Sequence, residues 1–178
     1  MAAEGYDSAS LARIVEESEI PISSVYHYFG SKDGVLLAVM NRGAERFFAS
    51  VADRDELYRD PLSHLKLLVE TICDALEQQS DFLRLVVVMA SQPPVDERAQ
   101  AHEVVTRVRE VALTRLARQF QIAFGVKPDS RAARDLAQFA LAAFDGAFIA
   151  WQADPSVRLK QVLQYLPAAL VAVHAEIA

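Results

Sequence analysis

Cysteine is almost absent from this chain. Cys73 is the single one in 178 residues, so no disulfide can close within it, and a reducing compartment suits it. Long apolar runs are absent too, and none reaches the roughly 20 residues that a membrane-spanning helix needs. No basic stretch leading into an apolar one opens the chain, so a secretory signal is not expected. Basic charge is scarce: the net charge is −6. Residues 1–50 hold four basic groups (Arg13, Lys32, Arg42, Arg46) against seven acidic ones. Net charge speaks to steering and non-specific affinity rather than to fold, and this balance weakens the case for a nucleic-acid partner. Gly-rich phosphate loops and the Gly-x-Ser-x-Gly nucleophile turn are missing. His102-Glu103-Val104-Val105-Thr106 comes nearest to a zinc-protease motif, but Thr106 stands where the second histidine is needed, and His64 and His174 have no ligand spacing. No catalytic residue, metal ligand or cofactor is therefore assigned, and nothing points to an enzyme.

What is present is helical pattern. Hydrophobic residues make up 52% and charged residues 24%, a balance that fits a soluble globular protein of one or two domains. Apolar residues recur at three- and four-residue spacing and no long alternating run suggests a strand. Proline and glycine punctuate the chain. The spacing predicts helices over 9–17 and 22–28, then Lys32 to Val51 behind Gly30 and Ser31. It predicts further helices over Pro61–Gln79, Phe82–Ser91, Asp96–Phe124 and Ser130–Gln152. A last helix is expected from Ser156 to the end, bent near Pro167. An all-α fold follows, with a small N-terminal unit over residues 1–45 and a larger helical bundle over 46–178.

The most informative stretch is Ser10 to Leu37. It reads as two short helices joined by a tight turn, then the capped start of a third, which is the arrangement of a helix-turn-helix. Leu11, Ile14 and Val15 face inward from the first helix and Ile20 anchors the turn. Val25 and Phe29, four residues apart, are expected to hold the second helix on the core. That leaves Ser23, Ser24, Tyr26, His27 and Tyr28 partly outward, where hydroxyls and an imidazole can bond phosphate oxygens or base edges. Lys32 opens a helix whose N-terminus already favours an anion.

These residues resemble the TetR family of bacterial transcriptional regulators. The resemblance runs through Ser10, the turn Ser18-Glu19-Ile20, the aromatic run Tyr26-His27-Tyr28-Phe29, and Ser31-Lys32-Asp33 opening the next helix. Asp145-Gly146-Ala147-Phe148 followed by Asp154-Pro155 is similar to a C-terminal pattern of the group. Two departures stand out. Glu19 occupies a turn position that is usually glycine, at a cost on the order of 1 kcal/mol if that position is left-handed. The family also has a complete helix ahead of the motif, and Met1–Tyr6 resembles only its last turn, so part of that helix is expected to be missing.

The resemblance implies a cytoplasmic, nucleoid-associated regulator. In most of the family this is a repressor that leaves a palindromic DNA operator when a small ligand binds. Its DNA-binding residues would be Ser10, Ser23, Ser24, Tyr26, His27, Tyr28 and Lys32. The C-terminal bundle would bind the ligand and form a homodimer. Phe47, Leu65, Leu68, Val69, Ile72, Phe82, Val86, Met89, Val105, Val108, Phe120 and Phe144 could line an apolar cavity for a small hydrophobic or aromatic effector. Thr71, Cys73, Gln92 and Gln138 would orient it. Ala140, Ala143, Ala147 and Trp151 form one stripe, and Leu159, Leu163, Leu166 and Leu170 another. Two such helices from each of two chains would make a four-helix interface. A ligand-binding helical protein that has lost DNA binding is the alternative, motivated by the acidic head and Glu19.

Overall fold

A computed structural model describes residues 20–51, 53–92, 99–127 and 129–177. The expected helix over 9–17, with Ser10, Leu11, Ile14, Val15 and Glu19, lies outside the described residues. Among those described, the order is α1 (Ile22–Phe29), α2 (Lys32–Ser50), α3 (Pro61–Gln78), α4 (Ser80–Ser91), α5 (Ala99–Phe124), α6 (Arg131–Ala153), α7 (Leu159–Val162), a 3₁₀ turn (Leu163–Tyr165) and α8 (Leu166–Ile177). The fold is all-α, with no strand among the described residues. No helix among them is long and apolar enough to cross a membrane.

Local chemistry sets the boundaries. Asp60 precedes α3 and its carboxylate accepts from the Ser63 N–H at 2.9 Å, with Pro61 in the first turn where a missing N–H costs nothing. Ser130 caps α6 by accepting from the Ala133 N–H at 3.1 Å. Gly125 closes α5 at φ 70. The final helix differs from the expectation. It starts at Leu159 rather than Ser156, because Asp154 holds residues 154–157 in a turn through the Ser156 and Val157 N–H groups. The bend near Pro167 takes the form of the 3₁₀ turn just before it. Proline has no N–H to return to the Leu163 carbonyl, so the chain tightens there.

The described residues fall into two compact units, one from 20–50 and 78–108, the other from 51–77 and 109–177. The boundary expected near residue 45 falls inside α2. In the first unit, Leu36 and Met40 of α2 pack on Phe82, Leu85 and Met89 of α4 and on Val104, Val105 and Val108 of α5. In the second, the buried core is built from Leu65, Leu68, Val69 and Ile72 of α3, Leu116 and Phe120 of α5, and Leu136, Ala140 and Phe144 of α6. α8 lies along α6 and buries Leu166 and Leu170.

Candidate nucleic-acid interface

α1 is short, and its ends are fixed by three consecutive devices. Pro21, extended at ψ 137, sets the entry, and its carbonyl accepts from the Ser24 and Val25 N–H groups at 2.9 and 3.2 Å. Gly30, at φ 70, lets the chain reverse while its N–H returns to the Tyr26 carbonyl at 3.0 Å. Ser31 then caps α2, its hydroxyl accepting from the Gly34 N–H at 3.1 Å.

Val25 is the one buried residue of α1, at 4% exposure. The expected partner anchor, Phe29, is 41% exposed. It ends the helix, and α2 closes on its backbone instead: the Phe29 carbonyl accepts from Ser31, and a β-carbon on Gly34 would overlap that carbonyl oxygen. Ile20, expected to anchor the turn, is 46% exposed, because the extended Pro21 carries it away from the helix.

The outward face is aromatic and polar. Tyr26 is 52% and Tyr28 77% exposed, and the His27 ring meets Tyr28 edge-on at 5.2 Å. Ser23 is exposed, Ser24 half-buried, and Lys32 stands partly buried at the first position of α2. The structure thus brings Ser23, Tyr26, His27 and Tyr28 to one short exposed helix, with Lys32 at the next helix start. Such a face can donate to phosphate oxygens and lay rings against sugar edges. Arg42 and Arg46 are exposed further along α2, where the sequence pattern assigned them no role.

The expected cavity residues divide between the two units. Phe47, Phe82, Val86, Met89, Val105 and Val108 belong to the first, where all but the half-buried Phe47 are core. Leu65, Leu68, Val69, Ile72, Phe120 and Phe144 are buried in the second. In the first unit Phe82 also lines a groove of about 550 Å³ with Val39, Arg42 and Gly43. In the second, an open cleft of about 940 Å³ runs along α5 and the start of α6, lined by Glu110, Leu113, Ala117, Arg118, Arg134 and Gln138 among others. Of the polar residues expected to orient a ligand, Gln138 lines this cleft. Thr71 bonds back to the Leu67 carbonyl, and Cys73 is fully buried. The charged stripe of α5 was missed, although Glu110, Thr114, Arg118 and Gln121 follow helical spacing in the sequence.

The stripes expected to meet a second copy are largely covered within the chain. Ala140, Ala147, Leu159, Leu163, Leu166 and Leu170 are buried, while Ala143 and Trp151 are half-buried. These side chains pack α6, α7 and α8 on one another. The large apolar residues left exposed there are Phe139, Ile149, Val162, Tyr165 and Ile177.

Comparison with known proteins agrees with this architecture. Residues 1–39 match the family model of bacterial regulatory proteins of the tetR family. The HTH-type transcriptional regulator BetI of Burkholderia ambifaria, from two strains, is 26% identical over 146 residues, which is 82% of this chain and 72% of that protein. The crystal structure of PfmR, a TetR family transcriptional regulator from Thermus thermophilus, matches the fold with a TM-score of 0.64. That match covers 94% of this chain and 90% of that one at 18% identity.

Proposed function

We propose that the chain is a DNA-binding regulator of the TetR family rather than an enzyme, and that it acts as a cytoplasmic repressor released from a palindromic operator by a small lipophilic ligand. The observation that carries this is the exposed Tyr26-His27-Tyr28 face on a helix anchored by the buried Val25. Residues 1–45 would read DNA, and residues 46–178 would bind the ligand and dimerise. Ser10, Ser23, Ser24, Tyr26, His27, Tyr28 and Lys32 are the proposed contacts. With no Lys or Arg in α1, base readout would fall to hydroxyl and imidazole groups, and Lys32 would add a phosphate contact.

A homodimer would place two copies of α1 in successive major grooves, about 34–36 Å apart. The exposed Phe139, Ile149, Val162 and Tyr165 support association through the α6–α8 region. The ligand would enter among apolar side chains such as Leu68, Ile72 and Phe120, which are packed in the structure, so uptake would have to part the helices. It can shift the DNA-binding equilibrium only by its differential affinity for the two states. Anisotropy with labelled DNA from upstream of the protein's own gene tests the reading. Tight binding that a Tyr26→Ala, His27→Ala variant loses supports it, and binding no tighter than to random DNA overturns it.

A further inference from the structure

We propose that His64 is a proton-operated latch on the segment 53–60, the stretch through which the chain passes from α2 into α3. The His64 side chain is fully buried, at 0% exposure. Its Nδ1 accepts from the Tyr58 N–H at 3.3 Å, so the ring hydrogen sits on Nε2 and is donated to Gln119 Oε1 at 3.0 Å. The Gln119 amide then donates from Nε2 to the Arg54 carbonyl at 3.1 Å. This relay runs in one direction only. It works with one tautomer of a neutral imidazole, and it fastens the segment at Arg54 and Tyr58 to helices α3 and α5.

Protonation of Nδ1 removes the acceptor. The Tyr58 N–H then faces an N–H, and an unshared charge lies in a fully buried site. The outcome of least cost is departure of the segment, which re-solvates both groups. Among the described residues, Glu56 of the segment included, no carboxylate bonds the ring. Asp60 accepts from the Ser63 N–H and hydroxyl, while Asp53 and Asp55 pair with Arg115 and Arg118 of α5. Arg54, the charged group acting on the ring, repels an imidazolium. Burial is the largest influence and holds the proton affinity of His64 below its ordinary value; the Gln119 bond opposes this and Arg54 reinforces it. The segment also carries backbone strain at Arg59, a non-glycine residue at φ 61.

Amide hydrogen exchange on the full chain, corrected for intrinsic rates and followed from about pH 8 to about pH 5, tests the latch. An NMR titration of the His64 ring runs alongside. The Tyr58 amide is expected to lose protection about tenfold or more as His64 takes up its proton, while α5 amides hold theirs. His64→Asn should abolish the pH dependence. Gln119→Glu, which favours the imidazolium, should move the ring titration and the loss of protection together to higher pH. A purely structural histidine would not show that joint shift. Constant protection across the range in the native chain overturns the proposal. So does a transition that survives in His64→Asn or stays unmoved in Gln119→Glu.

Discussion

Gly43 of α2 lies flat against the Phe82 ring of α4: a β-carbon at position 43 would overlap the ring and crowd the Phe82 Cβ. Glycine in mid-helix ordinarily costs about 1 kcal/mol relative to alanine, so propensity alone would make Gly43→Ala stabilising. Packing decides the sign the other way, because overfilling a tight core costs about 1–3 kcal/mol. Urea unfolding of Gly43→Ala should show a net loss of stability. Phe82→Leu should relieve part of that loss, giving a favourable coupling in the double-mutant cycle. Equal effects of Gly43→Ala in both backgrounds would show that the ring is not what the methyl meets.

The two serine caps give a second test. Ser130→Ala removes the acceptor of the Ala133 N–H, and Ser31→Ala removes that of Gly34. Each should cost about 1 kcal/mol, and replacement by Asp should recover most of it. Chemical denaturation measures both. An Ala variant indistinguishable from the native chain would mean that water serves the N–H equally well.

Those caps explain why so much of the fold could be read from residues. Pro21, Gly30, Ser31, Asp60-Pro61 and Ser130 act within a few positions of themselves, and their effects survive into the structure almost residue for residue. The candidate DNA-binding face was legible for the same reason, since Val25 inward and Tyr26, His27 and Tyr28 outward follow from helical spacing. Phe29 was misjudged because that spacing ignores where a helix stops. The spacing of Leu159, Leu163, Leu166 and Leu170 predicts one apolar face, and all four are buried. Periodicity says that a face is covered and not by what, so burial within the chain could not be told from burial against a second copy. The His64–Gln119 pair spans 55 positions and left no local signal.

Cys73 should be chemically quiet. Burial, with Glu77 adding to it, pushes the thiol up to about 11. At pH 8 only about one molecule in a thousand would then carry a thiolate, and it would be shielded from reagent. Titration with an aromatic disulfide should show no release over minutes in the native chain and one equivalent in guanidinium chloride. Rapid native labelling would mean that α3 opens far more readily than its packing indicates.

Association should depend on the exposed apolar residues of the α6–α8 region rather than on the buried leucines. Ile149→Glu changes a residue 51% exposed in the single chain, so it should alter monomer stability by less than about 0.5 kcal/mol. It should nevertheless convert a dimer to a monomer, because a carboxylate buried in an apolar interface cannot be solvated. Leu163→Ala, by contrast, should destabilise the chain by about 2–5 kcal/mol through the cavity it leaves. Sedimentation beside thermal unfolding separates the two effects. A dimer that persists in Ile149→Glu would move the interface elsewhere.

Affinity for DNA and stability should likewise come apart within α1. Tyr28 is 77% exposed, and Tyr28→Ala should leave unfolding within about 0.5 kcal/mol of the native chain. If its hydroxyl meets a base edge, the same change should weaken specific binding by about 1–3 kcal/mol while leaving random-sequence DNA nearly untouched, whereas a phosphate or sugar contact would weaken both. Val25 is buried, so Val25→Ala should lower stability first and affinity only as the helix loosens. Lys32→Gln should weaken both kinds of DNA alike and reduce the salt slope by about 0.9 for each phosphate it no longer neutralises. Binding isotherms across a salt series distinguish these three patterns. A Tyr28→Ala variant that keeps full operator affinity would remove this tyrosine from the reading face, leaving recognition to Tyr26 and His27.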